Sequence, residues 1–333
     1  DRRALRRLGM DRAAGRLDSS RGAAVSAAGD RRALLAELCA ETSWRRRARL
    51  LQADYRETLA LCGGAADLVA TSPPYADART YGAAITWTFS DYASLGEVIF
   101  AALRPGGHAL VNLDAPVRHW RPGFGTERGL LPWRVMLDWT DRVGFRAPDR
   151  LAFARFGSPG EYRGRFRNDF EPLFWFQRPG AAEFFDRDAL AVRAALGRPV
   201  GMITSSRRPD GSMRVRRSSG PAAENGIVHR GTLWDYGVVG YGHSGADDLE
   251  GSQHPARWPL VLAEDIVRCF APSGGLVCDP FLGSGTTLVA ALESGRRFVG
   301  GDLLARADGV PWVEVAAAIA DQRCRQQRLA AAP

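Results

Sequence analysis

From Leu50 onward, apolar runs of four to six residues alternate with stretches of helical spacing, and this alternation restricts the fold more than any other property of the chain. Strands are expected over 50–53, 67–71, 108–113, 150–156, 173–176, 275–278 and 298–301. Helices are expected over 56–61, 92–103, 132–143, 259–270, 286–294 and 313–327. Short runs that are apolar throughout are strands buried on both faces, so the pattern predicts an α/β fold whose parallel sheet is covered by helices on both sides. Glycine and proline punctuate it, as in Arg104-Pro105-Gly106-Gly107 and at Gly144.

Two segments break the pattern. Residues 1–49 are rich in Arg and Ala, with an Arg run at Arg45–Arg47, and read as a solvated helical leader or as a contact to a nucleic-acid backbone. Residues 179–253 are rich in Gly, Pro, Ser and Arg with little periodicity. No internal repeat is visible.

The chain has 333 residues, enough for one large domain or two modest ones. With 45% hydrophobic and 25% charged residues it reads as a soluble globular protein. No apolar run approaches the length of a membrane span, and the N-terminus lacks the apolar core of a signal peptide, so a cytoplasmic location is expected. Net charge is +8, and all 45 basic residues are Arg. Arg forks onto phosphates and guanine edges, so the balance favours a polyanionic partner. The five cysteines, Cys39, Cys62, Cys269, Cys278 and Cys324, form no CxxC pair, which argues against a disulfide framework and a zinc site.

Asp279-Pro280-Phe281-Leu282-Gly283-Ser284-Gly285-Thr286-Thr287 lies between an expected strand and an expected helix. Glycines there let the backbone turn tightly and approach a ligand, and the helix start offers unpaired N–H groups. A phosphate-binding P-loop needs Lys before the Ser or Thr, whereas Gly285 is followed by Thr286. A dinucleotide fingerprint needs a third glycine where Leu288 stands. Asp302 ends the next strand, where a carboxylate can accept both hydroxyls of a ribose; the alternative is a solvent-facing or capping Asp.

About 200 residues earlier, Thr71-Ser72-Pro73-Pro74-Tyr75 follows the strand at 67–71 and so lies at the carboxyl edge of the sheet, where open α/β sheets bind ligands. Prolines stiffen the turn and remove backbone donors. A carbonyl of that turn and the Ser72 hydroxyl can accept from an exocyclic amine, and Tyr75 offers a face for stacking a base. Alone, Pro-Pro is most often a plain turn.

Together, and in this order, the two strings resemble those of the β-class amino-methyltransferases of DNA. The resemblance covers about residues 50–302. It implies a Rossmann-like, S-adenosyl-L-methionine-dependent methyltransferase fold, circularly permuted, with an irregular target-recognition insertion. The implied division is a leader at 1–49, a catalytic half at 50–178, a target-recognition region at 179–253 and a cofactor-binding half at 254–333. Catalysis would fall to Ser72, Pro73, Pro74 and Tyr75. The cofactor would be held by Asp54, Thr71, His254, Asp279, Pro280, Phe281, Gly283, Ser284, Gly285, Thr286, Thr287 and Asp302. Within that set Asp302 takes the ribose, Asp54 lies near the adenine amine, and His254, of His254-Pro255-Ala256-Arg257, flanks the methionine end. Asp302 stands where the family commonly has Glu, which shortens the reach but keeps the carboxylate.

The resemblance also implies double-stranded DNA as partner, with the target base flipped out of the helix. DNA contacts would come from Arg79, Tyr81, Phe170, Arg207, Arg208, Arg214, Arg216 and Arg217; Phe170 lies in Asn168–Phe176, which resembles the family's base-pocket motif. Homodimerisation, a cognate restriction endonuclease and a prokaryotic or phage-encoded cytoplasmic enzyme follow from the same source. No metal is expected. No cysteine follows a proline, so the covalent route of cytosine-C5 methyltransferases is not expected, and the amine would attack the methyl directly. Family members with Ser at position 72 mostly act on cytosine N4 and those with Asp mostly on adenine N6, so cytosine is the preferred target. A DNA-binding relative without activity, and methylation of RNA or a protein amide, are the alternatives.

Overall fold

The computed structural model describes residues 44–75, 87–115, 117–119, 126–154, 166–181, 184–193, 203–217, 227–236, 258–306 and 308–330. A central sheet of eight strands carries the fold, in the order β1 (Ala48–Leu51), β14 (Arg297–Gly301), β13 (Leu276–Asp279), β2 (Ala66–Thr71), β3 (Leu103–Asn112), β7 (Phe170–Gln177), β6 (Arg150–Ala154) and β12 (Leu233–Trp234). The strand nearest the start of the described chain thus lies beside the last one, paired Ala48 to Phe298. Two short strands, β4 (Val117–His119) and β5 (Thr126–Arg128), pair with each other outside this sheet.

Both faces are covered. Helices α5 (Leu260–Phe270), α6 (Thr286–Glu293) and α7 (Trp312–Ala330) pack on one side, around Leu262, Ile266 and Leu288. On the other side α2 (Tyr55–Ala60), α3 (Phe89–Ala102) and α4 (Leu131–Asp138) bury Leu59, Leu95 and Val135. Each apolar strand therefore feeds two cores through alternate residues, which is why its sequence shows no polar face.

The sheet is mixed rather than parallel. β1, β14, β13, β2 and β3 run parallel, but β7 is antiparallel to both β3 and β6. Parallel neighbours need a crossover, usually a helix, and no described helix lies between β6 and β7. The expected helix at 132–143 also divides. Its last turn is a five-residue π-turn, Trp139–Val143, closed by Gly144 at φ 93°. Trp139 sits there wholly buried, its indole N–H donating to the Tyr92 carbonyl at 2.9 Å. Gly96 makes room for it: a Cβ at Gly96 would lie 2.4 Å from the indole nitrogen.

The Arg-rich stretch is more regular than its composition suggests. It holds a hairpin of β9 (Ile203–Arg207) and β10 (Met213–Arg217), a pair of β8 (Val192–Arg193) with β11 (Ile227–Val228), and β12 at the sheet edge. Strands of two to five residues are too short to leave a readable period. Tyr236 donates to Asp265 of α5 at 2.9 Å, and Arg230 pairs with the same carboxylate at 2.7 Å, which fastens this stretch to the helix. The end of the leader is anchored too: in helix α1 (Trp44–Arg47) the Trp44 indole and Arg45 both donate to Asp321 of α7, at 2.6 and 2.5 Å. Two members of the Arg run are thus tied into the body of the chain, since Arg47 also donates to the Leu292 carbonyl at 3.1 Å.

Candidate active site

β2 and β13 are adjacent and parallel, with Cys278 opposite Val69, so their carboxyl ends open at the same edge of the sheet. Connections leave these two strands in opposite directions across the sheet, which opens a crevice between them. Thr71 ends β2 and Asp279 ends β13, and the Thr71 hydroxyl donates to Asp279 Oδ1 at 2.7 Å. Two strings 208 positions apart are joined there by one buried hydrogen bond.

A cleft of about 310 Å³ opens above that bond. Ser72 and Pro74 line it from the first string; Asp279, Pro280, Phe281, Gly283, Ser284, Thr286 and Thr287 line it from the second. Asp54 and Asp302 also face it. Gly285 supports the loop from behind at φ 87°, where a Cβ would meet Ala316 Cβ at 2.7 Å, so only glycine fits. Asp302 holds the loop in shape: Oδ2 accepts from the Gly283 N–H and Oδ1 from the Leu304 N–H, both at 2.8 Å. Asp54 caps α2, accepting from the N–H groups of Arg56 and Glu57 at 2.7 and 3.1 Å, while it also faces the cleft. Tyr55, Trp87 and Phe281 form an aromatic wall with ring centroids 5.3 to 5.7 Å apart.

The Pro-Pro turn is held by its own network. Pro74 presents its carbonyl to the Tyr92 hydroxyl. Ser72 donates to Tyr75 Oη at 3.2 Å, and Tyr75 reaches Asn112 Oδ1 at 2.9 Å and Glu171 Oε2 at 3.1 Å. Asn112 Oδ1 also accepts from the Trp258 indole at 3.0 Å, and its amide donates to the Pro172 carbonyl at 3.0 Å. Tyr75 is only 4% exposed, so its ring is enclosed by the protein and its hydroxyl is engaged there. Ser72, half-buried, is the hydroxyl of the turn that faces the cleft, and with its proton given to Tyr75 its lone pairs are left to accept.

A family model described as DNA methylase, covering N6 and N4 methyltransferases, matches residues 66–306. The chain belongs to this DNA methylase family. Among its relatives, the type II methyltransferase M.ScaI of Streptomyces caespitosus is 26% identical over 239 residues, 70% of this chain and 69% of the relative. The fold is shared with solved structures. The cytosine-N4-specific PvuII DNA methyltransferase superposes with a TM-score of 0.56 at 19% identity, covering 82% of this chain and 86% of that one. A DNA modification methylase of Thermus thermophilus, solved with S-adenosyl-L-methionine, gives a TM-score of 0.52 at 21% identity, covering 83% and 94%.

Among the described residues, those expected to contact DNA do not line this cleft. Phe170 opens β7, 40% exposed and away from the cleft lining. Arg207, Arg208, Arg214, Arg216 and Arg217 cluster on the β9–β10 hairpin, with Arg208 and Arg214 exposed. Arg79, Tyr81 and His254 fall outside the described residues. Sequence reasoning missed Asn112, Glu171 and Trp258. For Asn112 and Glu171 a signal existed: each is a polar residue inside an otherwise apolar strand, and burial of such a group demands a partner.

Among the described residues no group of acidic, His or Cys side chains could hold a metal, and no helix is long and apolar enough to cross a membrane. Asp279 is the electrostatic feature at the floor of the cleft. Burial pushes its carboxyl up from 3.8 to about 6, against hydrogen bonds from Thr71, Thr287 and the Phe281 N–H. Burial raises Asp302 as well. The folded chain holds the Asp279 proton more tightly than the unfolded one, so this contribution to stability is fully present below the unfolded value and is lost as pH rises through about 6. Such a shift is on the order of 3 kcal/mol. Between about pH 4.5 and pH 7, the native chain is expected to lose more stability than Asp279→Asn, by about 2 kcal/mol in urea unfolding. A difference between the two proteins that does not change with pH would refute the assignment.

Proposed function

We propose that the protein transfers a methyl group from S-adenosyl-L-methionine to the exocyclic amine of a base flipped out of double-stranded DNA, with cytosine N4 as the target, as a circularly permuted β-class enzyme. The Thr71–Asp279 contact carries this reading, because it puts Ser72 and Pro74 on the same cleft as the Phe281–Thr287 loop. The residues fit the cofactor. The glycine loop and the start of α6 offer backbone N–H groups, Asp302 and Asp54 offer carboxylates, Asp279 suits an ammonium group, and the aromatic wall suits a flat ring. When bound, the cofactor supplies an electrophilic methyl on a sulfonium. Everything else falls to the chain: Ser72 and the Pro73 carbonyl accept from the amine, orient its lone pair and favour the charge that develops on it. Among the described residues nothing donates to the Pro73 carbonyl, so it is ready for that role, whereas the Pro74 carbonyl is already taken by Tyr92.

The basic β9–β10 hairpin and its neighbourhood form the target-recognition region, where Arg contacts to phosphate position the duplex and a few side chains read base edges. Cytosine is preferred on one ground, Ser at position 72. The family includes adenine-N6 enzymes, so the base is what the decisive experiment must read. Methylation-free DNA treated with the protein and cofactor, then digested to nucleosides for mass spectrometry, should contain N4-methylcytosine. N6-methyladenine would overturn the choice of base, and no methylated nucleoside would overturn the enzymatic reading.

A further inference from the structure

Ser72 Oγ, Tyr75 Oη and Glu171 Oε2 form an unbroken line of hydrogen bonds from the cleft into the core, at 3.2 and 3.1 Å. Ser72 faces the cleft; Tyr75 and Glu171 are 4% and 6% exposed. A carboxylate set that deep in the apolar run of β7 needs hydrogen-bonding partners, and one of them is the Tyr75 hydroxyl, which leads back to the cleft. Holding the tyrosine does not require a carboxylate, because Tyr75 already reaches Asn112 Oδ1 at 2.9 Å and a neutral amide at position 171 could accept the same bond.

Building on the methyl-transfer reading above, we propose that Glu171 is the final acceptor of the proton that the target amine must lose. The amine nitrogen bonds to the methyl carbon as the carbon–sulfur bond breaks, which leaves a neutral thioether and a positive charge on nitrogen. One N–H proton then passes to Ser72 Oγ, the Ser72 proton to Tyr75 Oη, and the Tyr75 proton to Glu171 Oε2. The nitrogen ends neutral and Glu171 ends protonated. The same line returns the proton to the cleft once the methylated base has left. Asn112 shares the Tyr75 hydroxyl with Glu171 and so orients it. Asp114, just past the end of β3, is close enough for the two carboxylates to repel, and is itself paired with Arg128 of β5.

The test compares wild type, Glu171→Gln and Tyr75→Phe in single-turnover transfer of label from S-adenosyl-L-methionine to methylation-free DNA across pH, with cofactor affinity measured separately by calorimetry. Glu171→Gln is expected to be about 100-fold slower near neutral pH and to recover as pH rises and hydroxide takes over, with cofactor affinity unchanged. Tyr75→Phe cuts the line without touching Glu171 and should show the same loss and the same pH dependence. If Glu171→Gln does not fold, Tyr75→Phe decides alone. Wild-type rates in either variant overturn the proposal. So does a loss that is equal at every pH and accompanied by weaker cofactor binding, which marks a structural role. A wild-type protein that labels no DNA sinks the methyl-transfer reading itself.

Discussion

Ser72→Ala is expected to slow methyl transfer by roughly 10²- to 10³-fold, the usual cost of removing one well-placed hydrogen-bond group that acts on developing charge. The fold should survive. Tyr75 keeps Asn112 and Glu171 as partners when the serine hydroxyl goes, and Pro74 stays pinned by Tyr92. Cofactor affinity should stay close to normal, because Ser72 touches neither the glycine loop nor Asp302 among the hydrogen bonds that hold them. The signature is thus a fall in single-turnover rate at unchanged cofactor dissociation constant. Retained activity would remove Ser72 from the reacting centre.

Asp302→Ala should act at the other end of the cleft, and through binding rather than rate. Its carboxylate holds two backbone N–H groups at 2.8 Å, and Asp302 also lines the cleft. Truncation leaves the buried Gly283 N–H unpaired, at about 1–3 kcal/mol, and loosens the turn that shapes the loop. Charge-assisted bonds to ribose hydroxyls are lost as well, at about 1.5–3 kcal/mol each. Even the lower end for two such bonds, about 3 kcal/mol, corresponds to a dissociation constant at least about 100-fold weaker, measurable by calorimetry. Asp302→Asn keeps one acceptor and should fall between. Wild-type affinity in Asp302→Ala would exclude the ribose role.

Much of this was legible along the chain. The strand ends at Thr71, Asp279 and Asp302 followed from short apolar runs stopped by special residues, and the glycine loop announced itself because Gly285 occupies a backbone region closed to other residues. The hairpin in the Arg-rich stretch did not, since five-residue strands in a polar context carry no period. Nor did the reversal of β7, because an apolar run has no direction.

The sequence by itself determined the class of fold and the two strings that make a site, because local backbone chemistry and doubly buried strands are written in residue type. Only the tertiary structure decided that these strings touch. Thr71 and Asp279 meet through strand order, which depends on how the whole sheet packs. The same packing sets Tyr75 and Asn112 against Glu171, three residues from three separate segments whose hydrogen bonds exist only once the core has closed around them.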